Sequence, residues 1–468
     1  MKNIFLPIKN KVDIHREKCG LSPEEVFSRF ADGKNVSFLN SSMESDVARF
    51  SILGIHPFLT LKNKNGIVEA TSYGQTSFEE MDPFDCLSLA LNKYHIENST
   101  DLPFIAGGIG YFSYDLKNSL EDLPSGAEDD LFLPDMYFAF YQALIIFDRF
   151  APGYVQICSL EIESPLSPDT ETLLSDILEK LRVTEPVTVP RFAGKQDPVF
   201  GSNFSKNDYL VAIKKVKEHI SAGDIYQVCL SQRFKSESPL SPHELYLRLN
   251  NINPSPFSAY IEFNHTAIIS SSPELFIRRT GDRIETRPMK GTRPRGRTPG
   301  DDNTIREELK ASAKDISELL MIVDLERNDL GRIAIPGSVM VSEHRRIEAY
   351  PTVFQTSAVI HANVPSGTNN VDIIKAVFPC GSITGCPKIR AMQIIDEIEP
   401  TARGIYTGAI GYISFHGTMD LNVTIRTMVK KGKDLYFQAG GGIVAESDPE
   451  AEYEETLVKA KALMDSLR

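Results

Sequence analysis

The sequence lacks the patterns that are typical of membrane, secreted and zinc-thiolate proteins. No run of about 18 apolar residues occurs, so no membrane-spanning helix is predicted. Pro7 and Lys9 interrupt the N-terminal segment before an apolar signal core could form. The six cysteines form no pair of C-x-x-C motifs and the nine histidines include no H-E-x-x-H pattern, which excludes the common zinc spacings. We therefore expect a cytoplasmic protein with reduced thiols.

Positive charge is also scarce. Lys and Arg number 50 against 63 Asp and Glu, which gives a net charge of −13. This balance disfavours nucleic acid and anionic membrane surfaces as partners, because phosphate groups require a basic patch. A small anionic substrate is compatible with it, since a few local cations can decide the field inside a pocket. The hydrophobic content of 41% predicts a globular protein with a sizeable core.

The chain divides into three segments by pattern. Residues 1–182 alternate short apolar runs with turn residues, which predicts strands of a large, mostly antiparallel sheet followed by a helix at Thr170–Arg182. Residues 183–203 contain three prolines and little periodicity, which is typical of a connector. Residues 204–468 alternate helix and strand patterns more densely and are the expected catalytic region.

Several elements of the catalytic region are predicted from periodicity and turn residues. They are a helix at Asn207–Ser221, a hairpin of Ala259–Phe263 and Ala267–Ser270, one long helix at Thr304–Val323, a helix at Ile389–Ile398, strands at Gly408–Ser414, Asn422–Val429 and Leu435–Gln438, and a helix that begins near Ser447.

Two of these helices each carry a pair of carboxylates. Asp315 and Glu318 are three residues apart in one helix, and Glu452 and Glu455 are three apart in the other, so each pair shares a helix face. Carboxylates together with water and an anionic substrate are the usual ligands of Mg²⁺. Acidic pairs at this spacing are more often part of solvated faces or salt bridges. Spacing alone therefore leaves both interpretations open.

A glycine run and a lone arginine are candidate anion-binding features. Gly440, Gly441 and Gly442 follow a predicted strand, and such a loop either presents backbone N–H groups to an anion or simply makes a tight turn. Arg426 lies among apolar residues of the predicted strand Asn422–Val429. Its charge requires a partner, which is either a substrate carboxylate or the solvent at a sheet edge.

Lys290 lies in the basic, Pro- and Gly-rich run Arg287–Arg295. Most such lysines are solvated. Burial and neighbouring cations such as Arg293 would favour the uncharged amine and make Lys290 a nucleophile. The residues alone do not choose between these roles.

Six ordered stretches resemble the chorismate-utilising enzyme family, whose members make anthranilate, aminodeoxychorismate, isochorismate or salicylate. The stretches are Gly223–Val228, Ser271–Phe276, Arg287–Gly296, Val323–Arg332, Gly381–Met392 and Ala439–Thr456, with weaker matches at Phe38–Ser41, Ala48–Ser51 and Gly107–Leu116. The resemblance implies an α+β fold like that of anthranilate synthase component I, a two-lobed sandwich of large antiparallel sheets flanked by helices.

The resemblance also implies roles for individual residues. Glu318 and Glu455 match Mg²⁺ ligands of the family, and Asp315 and Glu452 match outer carboxylates. The expected substrate contacts are Tyr406, Arg426, Gly440, Gly441, Gly442, Gln227, Thr292 and Ser382. Glu274, 16 residues before Lys290, matches the general acid that protonates the departing hydroxyl.

Three positions bear on which reaction the resemblance implies. Isochorismate-forming members have a water-activating Lys where this chain has Gln227, so water is not the expected nucleophile. Anthranilate-forming members have Ala where this chain has Lys290, whereas aminodeoxychorismate-forming members have a Lys that adds to the substrate ring. Many members have a His, linked to pyruvate elimination, where this chain has Gln355. The resemblance thus implies conversion of chorismate and ammonia to 4-amino-4-deoxychorismate through a Lys290 adduct, on the route to 4-aminobenzoate and folate.

Partners and alternatives follow from the same comparison. No glutamine-hydrolysing segment is apparent, so ammonia is expected from a separate glutamine amidotransferase subunit. The alternatives are an anthranilate-forming enzyme and a non-catalytic subunit that binds chorismate or anchors the glutaminase, although a scaffold would need neither the acidic residues nor Lys290. The segment Phe38–Ser41 resembles the region where relatives bind tryptophan, and Asn40 departs from the usual acidic residue there.

Overall fold

The computed structural model describes residues 4–182, 198–350 and 353–468. The helices within these ranges are α1 Pro23–Phe30, α2 Pro83–Lys93, α3 Thr170–Arg182, α4 Lys206–Ser221, α5 Pro242–Ile252, α6 Pro299–Ala311, α7 Ala313–Gly331, α8 Asn370–Val377, α9 Lys388–Ile398 and α10 Pro449–Asp465. Among the described residues, no helix is long and apolar enough to cross a membrane.

The same ranges contain 22 strands. They are β1 Ile8–Lys18, β2 Ser37–Asn40, β3 Phe50–Lys64, β4 Ile67–Ser72, β5 Gln75–Glu80, β6 Gly107–Phe112, β7 Met136–Asp148, β8 Tyr154–Ile162, β9 Gly201–Ser202, β10 Gln227–Glu237, β11 Phe257–Phe263, β12 Thr266–Ser272, β13 Leu275–Thr280, β14 Arg283–Arg287, β15 Met289–Pro294, β16 Met340–Ala349, β17 Val353–Asn363, β18 Gly385–Cys386, β19 Ala409–Ser414, β20 Met419–Val423, β21 Thr427–Lys431 and β22 Asp434–Ile443.

Antiparallel pairing connects the N-terminal and C-terminal parts of the chain. The longest pairing joins β3 to β7, from Phe50 opposite Asp148 to Asn63 opposite Met136. β2 pairs with β11, and β6 pairs with β19, so strands of residues 1–182 hydrogen-bond directly to strands of residues 204–468. Helices flank this sheet system, and the predicted α+β class with large antiparallel sheets is confirmed.

The proposed connector lies largely outside the described residues, which resume at residue 198. Its described part contains β9, which pairs with β10 through Ser202 opposite Phe234. The division into an N-terminal region, a connector and a catalytic region stays a prediction.

The core is built on strands that are buried on both faces. All residues of β7 from Met136 to Ile146 are buried, which explains why this strand has a continuous apolar run rather than alternation. Tyr137 of β7 stacks on Phe263 of β11 with ring centroids 4.5 Å apart. A Cβ at Gly110 would lie only 2.0 Å from the Tyr137 carbonyl oxygen, so this pairing of β6 with β7 requires glycine.

Several predicted elements are confirmed. The helix at Thr170–Arg182 has the predicted bounds, and α4 begins one residue before the predicted Asn207. Asn264 and His265 have φ values of +43° and +62° and join β11 to β12, as expected for a two-residue type I′ turn.

The prediction of one long helix at Thr304–Val323 is wrong. Two helices occupy this region, α6 and α7, and they are separated at Ser312. The Ser312 hydroxyl accepts a hydrogen bond from the Asp315 backbone N–H at 3.4 Å, so it caps α7 and interrupts the apparent continuity. The last helix, predicted to begin near Ser447, begins at Pro449, and the carboxylate of Asp448 rather than the Ser447 hydroxyl accepts the capping bond.

The predicted strand Asn422–Val429 is likewise wrong. Residues 424–426 separate β20 from β21, and Arg426 has a φ of +53°. This left-handed conformation ends strand pairing, so Arg426 lies between two strands rather than within one.

The glycine run was predicted to be a loop, but it forms the end of strand β22. Gly440 pairs with Ser231 of β10, and a Cβ at Gly440 would lie 2.5 Å from the Leu230 carbonyl oxygen. Glycine is needed here for close approach of two strands, and the strand continues through Ile443.

Candidate active site

Lys290 lies on β15 at an irregularity of strand pairing. β15 pairs with β17, and the register shifts between Lys290 and Thr292. The intervening Gly291 has a φ of +72°, and a Cβ there would lie 3.0 Å from the Asp315 carboxyl group of α7. The bulge therefore holds β15 closely against the N-terminal end of α7.

Ser382 connects Lys290 to Glu274. The Lys290 Nζ donates a hydrogen bond to the Ser382 carbonyl oxygen at 2.9 Å, while the Ser382 side chain lies near the Glu274 carboxyl group and favours its ionised form. The Met289 backbone N–H also lies 3.3 Å from Glu274 Oε1. Burial raises the pKa of Glu274 to about 7, although the Ser382 hydrogen bond and the charge of Lys290 oppose this shift. Glu274 thus retains a proton near neutral pH and is suited to donate it.

Gln227 and Gly442 lie beside the lysine. A Cβ at Gly442 would lie 2.1 Å from Gln227 Nε2 and 3.7 Å from Lys290 Nζ, so the absent side chain leaves space for both groups. Gln227 is buried, and neither its amide nitrogen nor its amide oxygen has a hydrogen-bond partner among the described residues. Buried amides are normally hydrogen-bonded, so this one is available to a ligand.

Carboxylates of α10 lie near Gly441, and Lys314 of α7 contacts one of them. A Cβ at Gly441 would lie 3.1 Å from Glu452 Oε2 and 3.6 Å from Glu455 Oε1. Lys314 Nζ lies 3.5 Å from Glu452 Oε1 and 3.9 Å from Glu318 Oε1, so this ammonium group bridges the two helices. Burial, together with the neighbouring carboxylates, raises the pKa of Glu318, while the charges of Lys290 and Lys314 oppose the shift.

The chemistry of this cluster fits a hard divalent cation. Within the described residues no three His, Cys, Asp or Glu side chains form a ready metal centre. Mg²⁺ commonly uses only one or two protein carboxylates and completes its shell with water and an anionic substrate. Although burial opposes it, the charge of Lys459, at 2.6 Å, lowers the pKa of Glu455 and keeps this carboxylate ionised. Asp315 is engaged by Arg293 at 2.6 Å.

Arg426 and Tyr406 form the cationic side of the site. Arg426 Nη1 donates to the Lys459 carbonyl oxygen, which fixes the arginine against α10. In the parts of the chain that the structure describes, its guanidinium group makes no ion pair with a carboxylate, and burial lowers its pKa. Burial raises the pKa of Tyr406, and the charge of Arg426 opposes this shift. The pair offers one positive charge and one hydroxyl group to an anionic ligand.

The remaining predicted residue, Thr292, contacts Gln355. Gln355 Nε2 donates to Thr292 Oγ1 at 3.2 Å, and the two residues are opposite each other in the β15–β17 pairing. Gln355 thus occupies the strand beside Lys290 without an ionisable group.

Four further residues belong to this environment and were not predicted as part of it. Lys314 and Lys459 lie four positions from their carboxylate partners on the same helix, and this spacing could have identified them. Glu326 and Cys380 are joined by a 3.2 Å contact between residues that are far apart in sequence. No local pattern indicates that contact.

A separate cavity of about 680 Å³ lies away from Lys290. Its lining includes Asn40 and Ser41 of the predicted tryptophan segment, but neither Lys290 nor Glu274. The Asn40 side chain is hydrogen-bonded to Glu24 and Ser51, both at 2.8 Å, so it is held in place by neighbouring side chains.

Comparisons with known proteins agree with this geometry. Residues 40–465 match the model of a family described as chorismate binding enzyme. Anthranilate synthase component 1 from Aquifex aeolicus is 37% identical over 456 residues, covering 95% of this chain and 92% of the relative. Aminodeoxychorismate synthase component 1 from Bacillus subtilis is 37% identical over 450 residues, covering 95% and 94%. The crystal structure of anthranilate synthase component I from Streptococcus pneumoniae matches with a TM-score of 0.77 and 33% identity, covering 90% and 93%.

Proposed function

Because the chain belongs to the chorismate binding enzyme family and is a chorismate-utilising enzyme, we propose that it is component 1 of an aminodeoxychorismate synthase. Relatives named for either reaction are equally similar, at 37% identity, so overall similarity does not choose between them. The observation that carries the proposal is Lys290, whose Nζ is held by Ser382 beside the buried acid Glu274. Anthranilate formation gives no role to an amine at this position.

The proposed reaction has two substitution steps. In the first, Lys290 Nζ forms a bond to C2 of chorismate, the ring electrons shift, and the C4–O bond breaks as Glu274 gives its proton to the departing hydroxyl group, which leaves as water. In the second, ammonia forms a bond to C4 and the C2–Nζ bond breaks. Glu274 takes a proton from the new ammonium group, and 4-amino-4-deoxychorismate is released.

The other site residues orient the substrate in this proposal. Arg426 and Tyr406 bind a substrate carboxylate, Gln227 offers its unpartnered amide, and the glycines of β22 let the ring approach the strand. Ser382 positions both the amine and the acid. Thr292, held by Gln355, borders the same strand.

A magnesium ion is part of the proposal. Glu318 and Glu455 would hold it, with Asp315 and Glu452 as outer carboxylates that orient water. When bound, Mg²⁺ supplies a positive charge that offsets the negative charge of the substrate carboxylate. Without the ion, Lys314 and Lys459 are the protein cations that balance the charge of these carboxylates.

A separate glutamine amidotransferase subunit is the proposed source of ammonia. The designation "component 1" of the relatives supports a two-component assembly. Free ammonium would replace that partner in vitro.

The test is product identification by chromatography and mass spectrometry after incubation with chorismate, ammonium and Mg²⁺. We expect 4-amino-4-deoxychorismate from the natural enzyme and none from Lys290→Ala. Lys310→Ala, which removes an exposed lysine of α6, is the matched control and should form product at the natural rate. Fluorescent anthranilate as the main product would contradict the proposal and favour the other branch of the family. Absence of any chorismate consumption would favour a non-catalytic subunit.

A further inference from the structure

Glu326 is a buried carboxyl group that the proposed reaction does not use. It lies on α7 and is 3% exposed. Thr286 Oγ1 donates to its Oε2 at 2.6 Å, and Cys380 Sγ lies 3.2 Å from its Oε1. Among the described residues it has no cationic partner, and burial raises the pKa of Glu326 to about 7. A carboxyl group that titrates in this range and contacts a thiol is unusual for a purely structural position.

Hydrogen-bonding side chains connect Glu326 to the proposed general acid. Cys380 Sγ also lies 3.2 Å from Ser382 Oγ, and the Ser382 side chain lies near enough to Glu274 to favour its ionised form. All four side chains are buried. The order Glu326, Cys380, Ser382, Glu274 is therefore a chain of neighbouring groups that can hydrogen-bond, with a carboxyl group at each end.

The hydrogen bonds of this chain can all point in one direction, so that every donor is used. A protonated Glu326 donates to the Cys380 sulfur, the thiol donates to the Ser382 oxygen, and the hydroxyl donates to an ionised Glu274. When Glu326 is ionised instead, the thiol donates to it, which is the contact that the geometry shows. Both protonation states are thus compatible with the same positions.

We propose that Glu326 is a positioning residue that returns a proton to Glu274 through Cys380 and Ser382. The inference rests on the proposed role of Glu274 as general acid. In the transfer, the O–H bond of Glu326 breaks as an S–H bond forms, the original S–H bond breaks as an O–H bond forms on Ser382, and the original Ser382 proton moves to Glu274. Glu326 ends as the carboxylate and Glu274 as the acid, so charge and protons balance. A free enzyme whose Glu274 has ionised before chorismate binds is thereby returned to the acid form.

Other charged and titratable groups also act on the two ends of this chain. Those that influence Glu274 or Glu326 are Lys290 on β15, Lys459 on α10, Tyr350 after β16, Asp329 on α7 and Cys380 itself. Lys290 and Lys459 favour the ionised form of Glu274, whereas an ionised Glu326 opposes it. Removing the charge at position 326 should therefore make Glu274 easier to ionise.

The first test is the pH dependence of kcat/KM for Glu326→Gln. Glu274 must be protonated to act, so its pKa sets the basic limb of the profile. We expect this limb to move to lower pH by about one unit, because the variant lacks the negative charge that helps Glu274 keep its proton. A profile that overlays that of the natural enzyme would overturn the proposal.

The second test breaks the chain and keeps both carboxyl groups. Cys380→Ala should lower kcat/KM about tenfold or more with the basic limb in place, because the free enzyme then cannot restore the acid form of Glu274 through this thiol. Cys380→Ser, which restores a donor and an acceptor, should recover most of this loss. Cys386→Ser is the control, because Cys386 lies in the same segment but is not one of the four groups of the hydrogen-bonding chain. This variant should behave as the natural enzyme. A fully active Cys380→Ala variant would contradict transfer through this thiol.

A measurement on the resting enzyme separates this inference from the proposed function. Infrared titration of the carboxylic-acid C=O band should show one buried group fewer in Glu326→Gln than in the natural enzyme, and a lower midpoint for Glu274. An unchanged midpoint would overturn the coupling even if aminodeoxychorismate is formed. Detection of the coupling in an enzyme that forms a different product would instead refute only the proposed function.

Discussion

Replacing Glu274 by Gln should inactivate the enzyme and make the folded protein more resistant to heat at alkaline pH. Burial raises the pKa of Glu274 from its ordinary value of 4.5 to about 7. In the unfolded chain the group ionises above pH 4.5, whereas in the folded protein it stays protonated until about pH 7. Stability is therefore lost as the pH rises from 4.5 to 7, because ionisation favours the unfolded state.

The size of this effect follows from the difference between the two pKa values. At about 1.36 kcal/mol for each pH unit, the cost of keeping Glu274 buried reaches about 3 kcal/mol at pH 8 and is about 1 kcal/mol at pH 5. With an unfolding entropy of about 2.1 cal/mol/K per residue, 3 kcal/mol corresponds to about 3 °C in a chain of this length. A neutral Gln avoids the cost and retains an oxygen for the Met289 N–H.

The assay is differential scanning calorimetry of Glu274→Gln and the natural enzyme at pH 5 and pH 8. We expect the variant to gain about 3 °C at pH 8 and about 1 °C or less at pH 5. Glu397→Gln, at an exposed position of α9, is the matched control and should change the midpoint by less than about 1 °C at either pH. An equal gain of Glu274→Gln at both pH values would refute burial as the cause of the raised pKa.

Four further predictions concern the glycine strand and the carboxylates. Gly440→Ala should destabilise the fold by about 1–3 kcal/mol, measured by thermal unfolding, because its Cβ would lie 2.5 Å from a carbonyl oxygen of β10. Gly441→Ala should instead preserve the unfolding midpoint. It should weaken Mg²⁺ binding, seen as a higher Mg²⁺ concentration for half-maximal activity, because its Cβ would approach a carboxylate of α10. Glu318→Gln and Glu455→Gln should each raise the Mg²⁺ concentration for half-maximal activity by about tenfold or more, and an unchanged titration would remove them as ligands. Lys314→Met should lower that concentration, because the lysine ammonium competes for the same oxygens.

Local patterns predicted the elements whose boundaries depend on local chemistry. The turn at Asn264 and His265 and the helix at Thr170–Arg182 were found because turn residues and helical spacing act over a few residues. The break at Ser312 was missed, since only the capping hydroxyl of this residue marks the boundary. The same limit applies to Gly440. This glycine permits a close contact with β10, which no local pattern indicates.

The candidate site could be predicted only where the resemblance supplied the partners. Spacing placed Glu318 and Glu455 on helix faces but could not bring α7 and α10 together, because that contact depends on the tertiary fold. Lys290 likewise resembles a solvated lysine in sequence, and its hydrogen bond to Ser382 joins residues 92 positions apart. Arg426 was assigned to a strand because its apolar neighbours suggest one, whereas its positive φ separates β20 from β21.

Mass spectrometry of the enzyme quenched during turnover of chorismate with Mg²⁺ in the absence of ammonia tests the central claim most directly. We predict that a substrate-derived group, chorismate less water, is attached to the peptide that contains Lys290, and that ammonium removes it with release of 4-amino-4-deoxychorismate. The same group on another residue, or an unmodified Lys290 in an enzyme that forms this product, would contradict covalent catalysis by Lys290.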